Sequence, residues 1–381
     1  MSKVFDVAVI GVGGMGSAAC YRLAQAGLNV LGLEQFSIPN TKGSSHGATR
    51  ILRLGLHESE TYVPMVMRAV ELWRDAEQQS GEKLFHAVGS IDVAEPHSRI
   101  FWGSRDACRT CDISHEILDA HEVRRRFPAI HPTDTMMAVY QHGSGFVLPE
   151  LAICTHVNLA LAAGAEIHGQ EKTLGWEKRG SIYRIETDRG HYDAEQLVVT
   201  AGAWLGKLFG QEKIPVTAER CVLGWFAPQR NAAQLSKGQL PVWIIDSEQT
   251  GHFYGFPIHG MPGFKLGRLR EVPSAAIDPD LERRHPDKID ETEMREFLAQ
   301  CFPDANGSVL SMETCFFENT PDRSPILDHL PGEPGCWVLG GFSGHGYKYA
   351  SAVGEIACDL IQQKKPKVDL HPFRLSRFQT A

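Results

Sequence analysis

Gly11, Gly13 and Gly16 stand in G-x-G-x-x-G spacing, and an acid, Glu34, closes the next apolar run. That pattern can hold a dinucleotide. Gly11 lets the chain turn sharply, Gly13 lets backbone N–H groups approach a pyrophosphate, and Gly16 lets a helix pack close to a sheet. The helix then aims its positive N-terminus at the phosphates. Glu34 can accept hydrogen bonds from a ribose diol and disfavours a 2′-phosphate, so NADP is the least expected ligand. FAD and NAD remain equally compatible with the motif.

The elements that must position these residues are legible around them. Residues 5–10 read as a buried parallel strand, a helix rich in small residues follows, and Val30–Leu33 is the second strand. Residues 196–204 read as another apolar strand ending in Thr200-Ala201-Gly202. On its own, that ending fits an ordinary turn as well as a second approach of backbone to the dinucleotide. Residues 336–339 form a last strand, and the glycine-rich turn 340–346 leads into a helix over 347–361. A second strand–glycine–helix unit at the far end implies that the terminus returns to the cofactor.

The spacing predicts helices over 64–79, 118–127, 150–163 and 291–300. It predicts strands over 86–94, 166–169, 181–187, 242–246, 252–257 and 264–269. Residues 279–290 are charged and read as a solvated loop or short helix. The expected fold class is α/β, of the α+β two-domain kind. A Rossmann-like nucleotide domain (1–85, 150–220 and 325–381) interleaves with a β-sheet-rich substrate domain (86–149 and 221–324).

Bulk composition excludes several classes. The 381 residues exceed what one core usually serves, and 43% hydrophobic with 22% charged residues is ordinary for a globular protein. A net charge of −8 argues against nucleic acid or an anionic membrane as partner. No apolar stretch reaches membrane-span length, and the N-terminus enters the first strand without a signal peptide, so a cytoplasmic location is expected. Nine scattered cysteines suit a reducing compartment. Cys108 and Cys111 form an isolated C-x-x-C without a partner motif, and the 17 histidines show no metal spacing, so no metal is expected.

The chain resembles the monomeric sarcosine oxidase and N-methyltryptophan oxidase family, within the D-amino-acid-oxidase-like flavoproteins. The likeness runs nearly end to end. It is carried by GSSHGATRILR at 43–53, YVPMVMR at 62–68, YGFP at 254–257, FKLG at 264–267, Cys315, GFSGHGYK at 341–348 and HPFRLSR at 371–377.

The resemblance implies FAD, attached covalently through the matching Cys315, in the nucleotide domain. It implies oxidation of a secondary amino acid, such as sarcosine or another N-methyl amino acid, to an imine that water hydrolyses. O2 is then reduced to hydrogen peroxide. A dehydrogenase passing electrons to a partner is the alternative. Arg53 and Lys348 match the substrate-carboxylate anchor, where an Arg fork and a Lys point charge suit a carboxylate. Lys265 matches a cation that stabilises charge on O2 near the flavin N5. By period-two alternation it points away from Phe264 and Leu266. His46, Arg50 and His345 match positions around the ring, and Tyr254 matches a wall of the substrate cavity. The implied cofactor-binding set is Gly11, Gly13, Gly14, Gly16, Glu34, Ser44, Thr49, Arg50, Gly202, Cys315, Gly344, Gly346 and Lys348. A monomer is expected.

Two positions depart from the family. Leu269 stands where the relatives carry a histidine, and Phe317 where sarcosine oxidase has a tyrosine. Both changes imply a more apolar cavity and a bulkier or more apolar secondary amine, including a cyclic imino acid.

Overall fold

A computed structural model describes residues 3–270, 276–281 and 285–378. The strand Val4–Ile10 is central to the first sheet. It pairs in parallel with Val30–Leu33 on one side and His191–Val199 on the other. Glu166–His168 extends the parallel set beyond Val30–Leu33, and Glu333–Gly340 extends it beyond His191–Val199. Parallel strands are covered on both faces, which explains the unbroken apolar runs VAVI and LVV. An antiparallel hairpin, Thr173–Arg179 with Ile182–Thr187, joins the edge.

The helix Gly14–Gln25 packs on this sheet and against the C-terminal helix Ala350–Ile361. The two backbones meet closely, since a Cβ at Gly354 would lie 2.5 Å from the Ala18 carbonyl oxygen. The terminus thus returns to the glycine motif, as its sequence implies. Among the described residues no helix is long and apolar enough to cross a membrane.

Among the described residues the second sheet has eight strands. Their order is Val309–Asn319, Thr217–Phe226, Phe264–Arg268, Gly251–Phe256, Val242–Ser247, Ser90–Ala94, Met137–Gln141 and His115–Asp119. One face carries Trp243, Phe253, Phe264 and Leu266, sealed by Phe297 and Leu298 of the helix Lys288–Cys301. Each such buried side chain contributes roughly 1.5–3 kcal/mol. Tyr254, Phe256 and Lys265 alternate onto the opposite face, toward the first sheet. That alternation is the one the sequence predicts for Lys265.

Some elements differ from expectation. Residues 86–94 are not one strand: Gly89, at φ +81°, separates Phe85–His86 from Ser90–Ala94, and the two pieces join different sheets. Residues 118–127 are not one helix. His115–Asp119 is a strand, and Asp119 then caps the helix Ala120–Arg126 by accepting the Glu122 N–H at 2.8 Å. Of the charged run at 279–290, residues 282–284 lie outside the described set, while 288–290 begin a helix capped by Asp287.

Candidate active site

A cavity of about 1060 Å³ lies between the two large sheets and takes in both ends of the chain. At one end is the glycine turn. Gly11 adopts φ +91°, and a Cβ there would sit 2.8 Å from the Thr200 carbonyl oxygen. Thr200 Oγ1 also donates to the Gly11 carbonyl at 2.6 Å. A Cβ on Gly16 would overlap the Gly11 carbonyl oxygen. At Gly13 it would meet no protein atom within 4 Å. Gly11 and Gly16 therefore serve packing, and Gly13 keeps open a cradle at the start of the helix. That cradle, at the N-terminal end of the helix Gly14–Gln25, fits the pyrophosphate of FAD.

Glu34 stands beside the cradle. Its carboxylate accepts the Val12 N–H at 2.9 Å and the Phe36 N–H at 3.0 Å. Burial pushes its pKa up, and these amides pull it back. Ser44 lines the same cavity, and its Oγ is buried with no hydrogen-bond partner among the described residues. An orphaned hydroxyl of this kind suits a bound cofactor. Gly14, Gly202, Gly344 and Gly346 line the wall as well.

Cys315 lies on the strand Val309–Asn319, directly opposite Cys221 of Thr217–Phe226. Its Sγ accepts a hydrogen bond from Arg50 Nη2 at 3.4 Å and lies 3.7 Å from the Ser44 carbonyl oxygen. Arg50 also donates to the carbonyls of Ser44 and Thr49. Burial, with Cys315 beside it, raises the Cys221 thiol well above the usual range, so Cys221 stays protonated.

Lys265 stands one layer behind the cavity. Its ammonium donates to the carbonyls of Gly47 at 2.6 Å and Thr49 at 2.7 Å, and to Thr49 Oγ1 at 3.0 Å. It also caps the ring of Phe256, a cavity wall, at 4.2 Å. Burial, then Arg50, hold it well below the ordinary lysine pKa. His46 is likewise buried. Burial, then Arg50 and Lys265, pull its pKa to about 3, so it is neutral.

Arg53 and Lys348, expected from the sequence as a carboxylate anchor, both line the far end of the cavity. Arg53 is not free. Nη1 donates to Asp92 Oδ2 at 3.0 Å, and Nη2 donates to the two Glu58 oxygens at 2.9 and 3.0 Å. Lys348 Nζ donates to the His345 carbonyl at 2.6 Å and lies 3.8 Å from Glu58. Burial pulls Lys348 to about 8, and Glu58 opposes that shift. Burial pushes Glu58 up, but Arg53 and Lys348 outweigh it and hold the carboxyl well below the usual range. His345 stacks on Tyr62 at 5.8 Å, and its Nε2 lies 3.0 Å from the Arg323 carbonyl. Burial and Lys348 lower it to about 4. Tyr254 lines the wall, its phenol pushed above the usual range by burial.

Sequence reasoning missed Glu58 and Asp92. Asp92 had a signal, an acid in the middle of the apolar strand SIDVA, where a buried charge needs a partner. Glu318 was missed too. It lines the cavity beside Gly202, burial raises it to about 7, and its Oε2 has no partner among the described residues. Nor is the cavity uniformly more apolar, as Leu269 and Phe317 imply. Leu269 does line it, but its N–H donates to the His252 carbonyl at 2.9 Å, and the imidazole of His252 faces the same space.

Comparison with known proteins agrees with this geometry. The FAD dependent oxidoreductase family model matches residues 6–360. Monomeric sarcosine oxidase from Streptomyces avermitilis is 37% identical over 363 residues, 94% of each chain. N-methyl-L-tryptophan oxidase from Yersinia pestis is 34% identical over 378 residues, 98% of this chain and all of that one. Among solved structures, NikD, an unusual amino acid oxidase of nikkomycin biosynthesis, superposes with TM-score 0.85 at 22% identity, covering 98% of both chains. Glycine oxidase from Geobacillus kaustophilus superposes at 0.81 and 19% identity over the full length of both, a likeness of fold. With the glycine cradle and an end-to-end match both present, this chain belongs to the FAD-dependent oxidoreductases, in the amine-oxidase branch that includes monomeric sarcosine oxidase and N-methyl-L-tryptophan oxidase.

Proposed function

We propose that this protein oxidises N-methylated or other secondary amino acids at the C–N bond, reducing O2 to hydrogen peroxide. One observation carries the reading: a single cavity joins the glycine cradle to a cation pair of carboxylate-binding type. The names of the sequence relatives, a sarcosine oxidase and an N-methyltryptophan oxidase, support the substrate class.

Bound FAD supplies the two-electron acceptor for the substrate and the donor to O2. The chain's residues do the rest. Gly13 and Gly14 present the cradle, and Cys315, with Arg50 Nη2 at 3.4 Å from its sulfur, would hold the flavin by a thioether. Arg53 and Lys348 orient the substrate carboxylate, which fixes the amine over the reacting face. The neutral ring of His345 places no charge beside the amine. Tyr254 and Phe256 exclude water. Lys265, held by three acceptors one layer behind Phe256, would favour the reduced form of O2 at a distance when protonated, rather than by contact.

Oxygen uptake and peroxide formation test the proposal. Sarcosine, N-methyl-L-tryptophan or another N-methyl amino acid should drive one peroxide per O2 consumed. Flavin reduction without oxygen uptake would make the protein a dehydrogenase instead.

A further inference from the structure

Beyond the cation pair, the cavity wall is completed by two histidines, His57 and His252. They come from distant segments. Their rings meet edge to face, with centroids 6.1 Å apart at 60°. His252 is 7% exposed, and the His57 side chain is 10% exposed. Neither ring makes a hydrogen bond with the described residues. Nδ1 of His57 and Nε2 of His252 are sealed off without a partner, whereas Nε2 of His57 and Nδ1 of His252 are not among the sealed atoms. Glu58 approaches His57 Nδ1 at 3.8 Å, too long for a hydrogen bond.

Burial keeps both imidazoles neutral, His252 at about 4 and His57 well below its ordinary value. A neutral imidazole offers one donor and one acceptor. Arg53, Lys348 and Arg323 on one side and Asp92, Glu58 and Asp246 on the other set opposing charges around the pair. Arg53 is held by Asp92 and Glu58, and Asp246, which faces His252, accepts a hydrogen bond from Ser98 Oγ at 2.7 Å. An apolar wall would fill this space without leaving buried polar groups unpaired. The two rings are therefore a polar feature waiting for an uncharged polar group.

We propose that His57 and His252 form a side-chain subsite selecting N-methyl amino acids that bear an uncharged hydrogen-bonding group, a hydroxyl or a carboxamide. The inference rests on the proposed amino-acid oxidase reading and names its substrate class. The carboxylate sits at Arg53 and Lys348, the aliphatic stem lies along Tyr254, and the polar tip reaches the imidazoles.

Matched pairs test it on the holoenzyme: N-methyl-L-serine against N-methyl-L-alanine, and N-methyl-L-glutamine against N-methyl-L-leucine. The polar member of each pair is expected to show a kcat/KM at least about tenfold higher, as sites built to hydrogen-bond a substrate discriminate strongly. His57→Leu and His252→Leu should bring both ratios close to one, mainly through KM. Ratios within about twofold in the unmodified enzyme, with all four compounds oxidised, would overturn the subsite. If none of the four bleaches the flavin, and sarcosine, N-methyl-L-tryptophan and cyclic imino acids fail as well, the oxidase reading fails. The subsite is then decided by binding alone. N,N-dimethyl-L-serine should perturb the flavin spectrum at about tenfold lower concentration than N,N-dimethyl-L-alanine, and equal midpoints would overturn it.

Discussion

Arg53 and Glu58 are joined by a two-oxygen hydrogen-bonded pair, with Nη2 at 2.9 and 3.0 Å from the carboxylate. On the proposed function, a substrate carboxylate competes with a protein carboxylate for the same fork, while Asp92 holds the other arm of the guanidinium. Glu58 also lies 3.8 Å from Lys348, so it stands between the two cations proposed to take the substrate. Free of substrate, the site is neutralised from within. Substrate binding exchanges one anion for another, which keeps the buried arginine paired throughout.

Removing that competitor should strengthen substrate binding at a structural cost. Glu58→Gln is expected to lower KM for an N-methyl amino acid by about tenfold, equivalent to about 1.4 kcal/mol. The same change should destabilise the substrate-free protein by roughly 1–3 kcal/mol, since Arg53 loses a charged partner. Steady-state kinetics and urea unfolding check both halves. A raised KM would contradict the competition.

The pH dependence follows from Lys348, whose pKa lies at about 8 when the site is free. Below that pH the ammonium is present and attracts the substrate carboxylate; above it the charge is lost. A bound carboxylate favours the protonated form, so the limb belongs to kcat/KM, which reports the free enzyme, rather than to kcat. We expect kcat/KM to fall as pH rises through about 8, approaching tenfold per pH unit if protonated Lys348 is required. Lys348→Arg should remove this limb, and its persistence in that variant would assign it elsewhere.

The glycine triplet separates packing from ligand contact. Gly16→Ala drives a methyl into the Gly11 carbonyl oxygen and should cost several kcal/mol, on the order of 3 or more, of folding stability. Gly13→Ala meets no protein atom and should leave the apoprotein within about 1 kcal/mol of the unmodified chain. It should nevertheless bind FAD markedly less well, because the methyl occupies the cradle. Thermal unfolding of apoprotein and FAD titration read the two effects separately. Equal FAD affinity in Gly13→Ala would remove the pyrophosphate from that position.

How far the sequence alone reaches is clear from these same residues. Gly11 and Gly16 were legible because a positive φ and a backbone–backbone contact each admit only glycine, and local spacing reports both. Lys265 was legible as a strand residue facing away from Phe264 and Leu266, since period-two alternation is local too. Pairings across the chain were not. Asp92 meets Arg53 from 39 residues away, and nothing local to either marks the partner. His57 and His252 come together only because strands of one sheet and a loop from the other half converge. The strand Val309–Asn319 that carries Cys315 was also missed. Only its second half is continuously buried, and its first half is partly exposed without a clean alternation.

Acid precipitation of the yellow protein tests the role of Cys315. The colour is expected to stay with the pellet in the unmodified protein and to pass to the supernatant in Cys315→Ser. Colour retained in Cys315→Ser would place the link on another residue, and Cys221, directly across the strand pair, is the first to examine.

Anaerobic addition of an N-methyl amino acid to the purified, flavin-loaded protein is the most direct test of the central claim. That claim is that one cavity holds the flavin and a secondary amino acid together. The account predicts that the visible flavin band bleaches in full and returns when air is admitted, with peroxide formed. Loss of bleaching in Arg53→Met would tie it to the cation pair. A flavin band unchanged by every N-methyl amino acid, and by cyclic imino acids as well, would contradict the account.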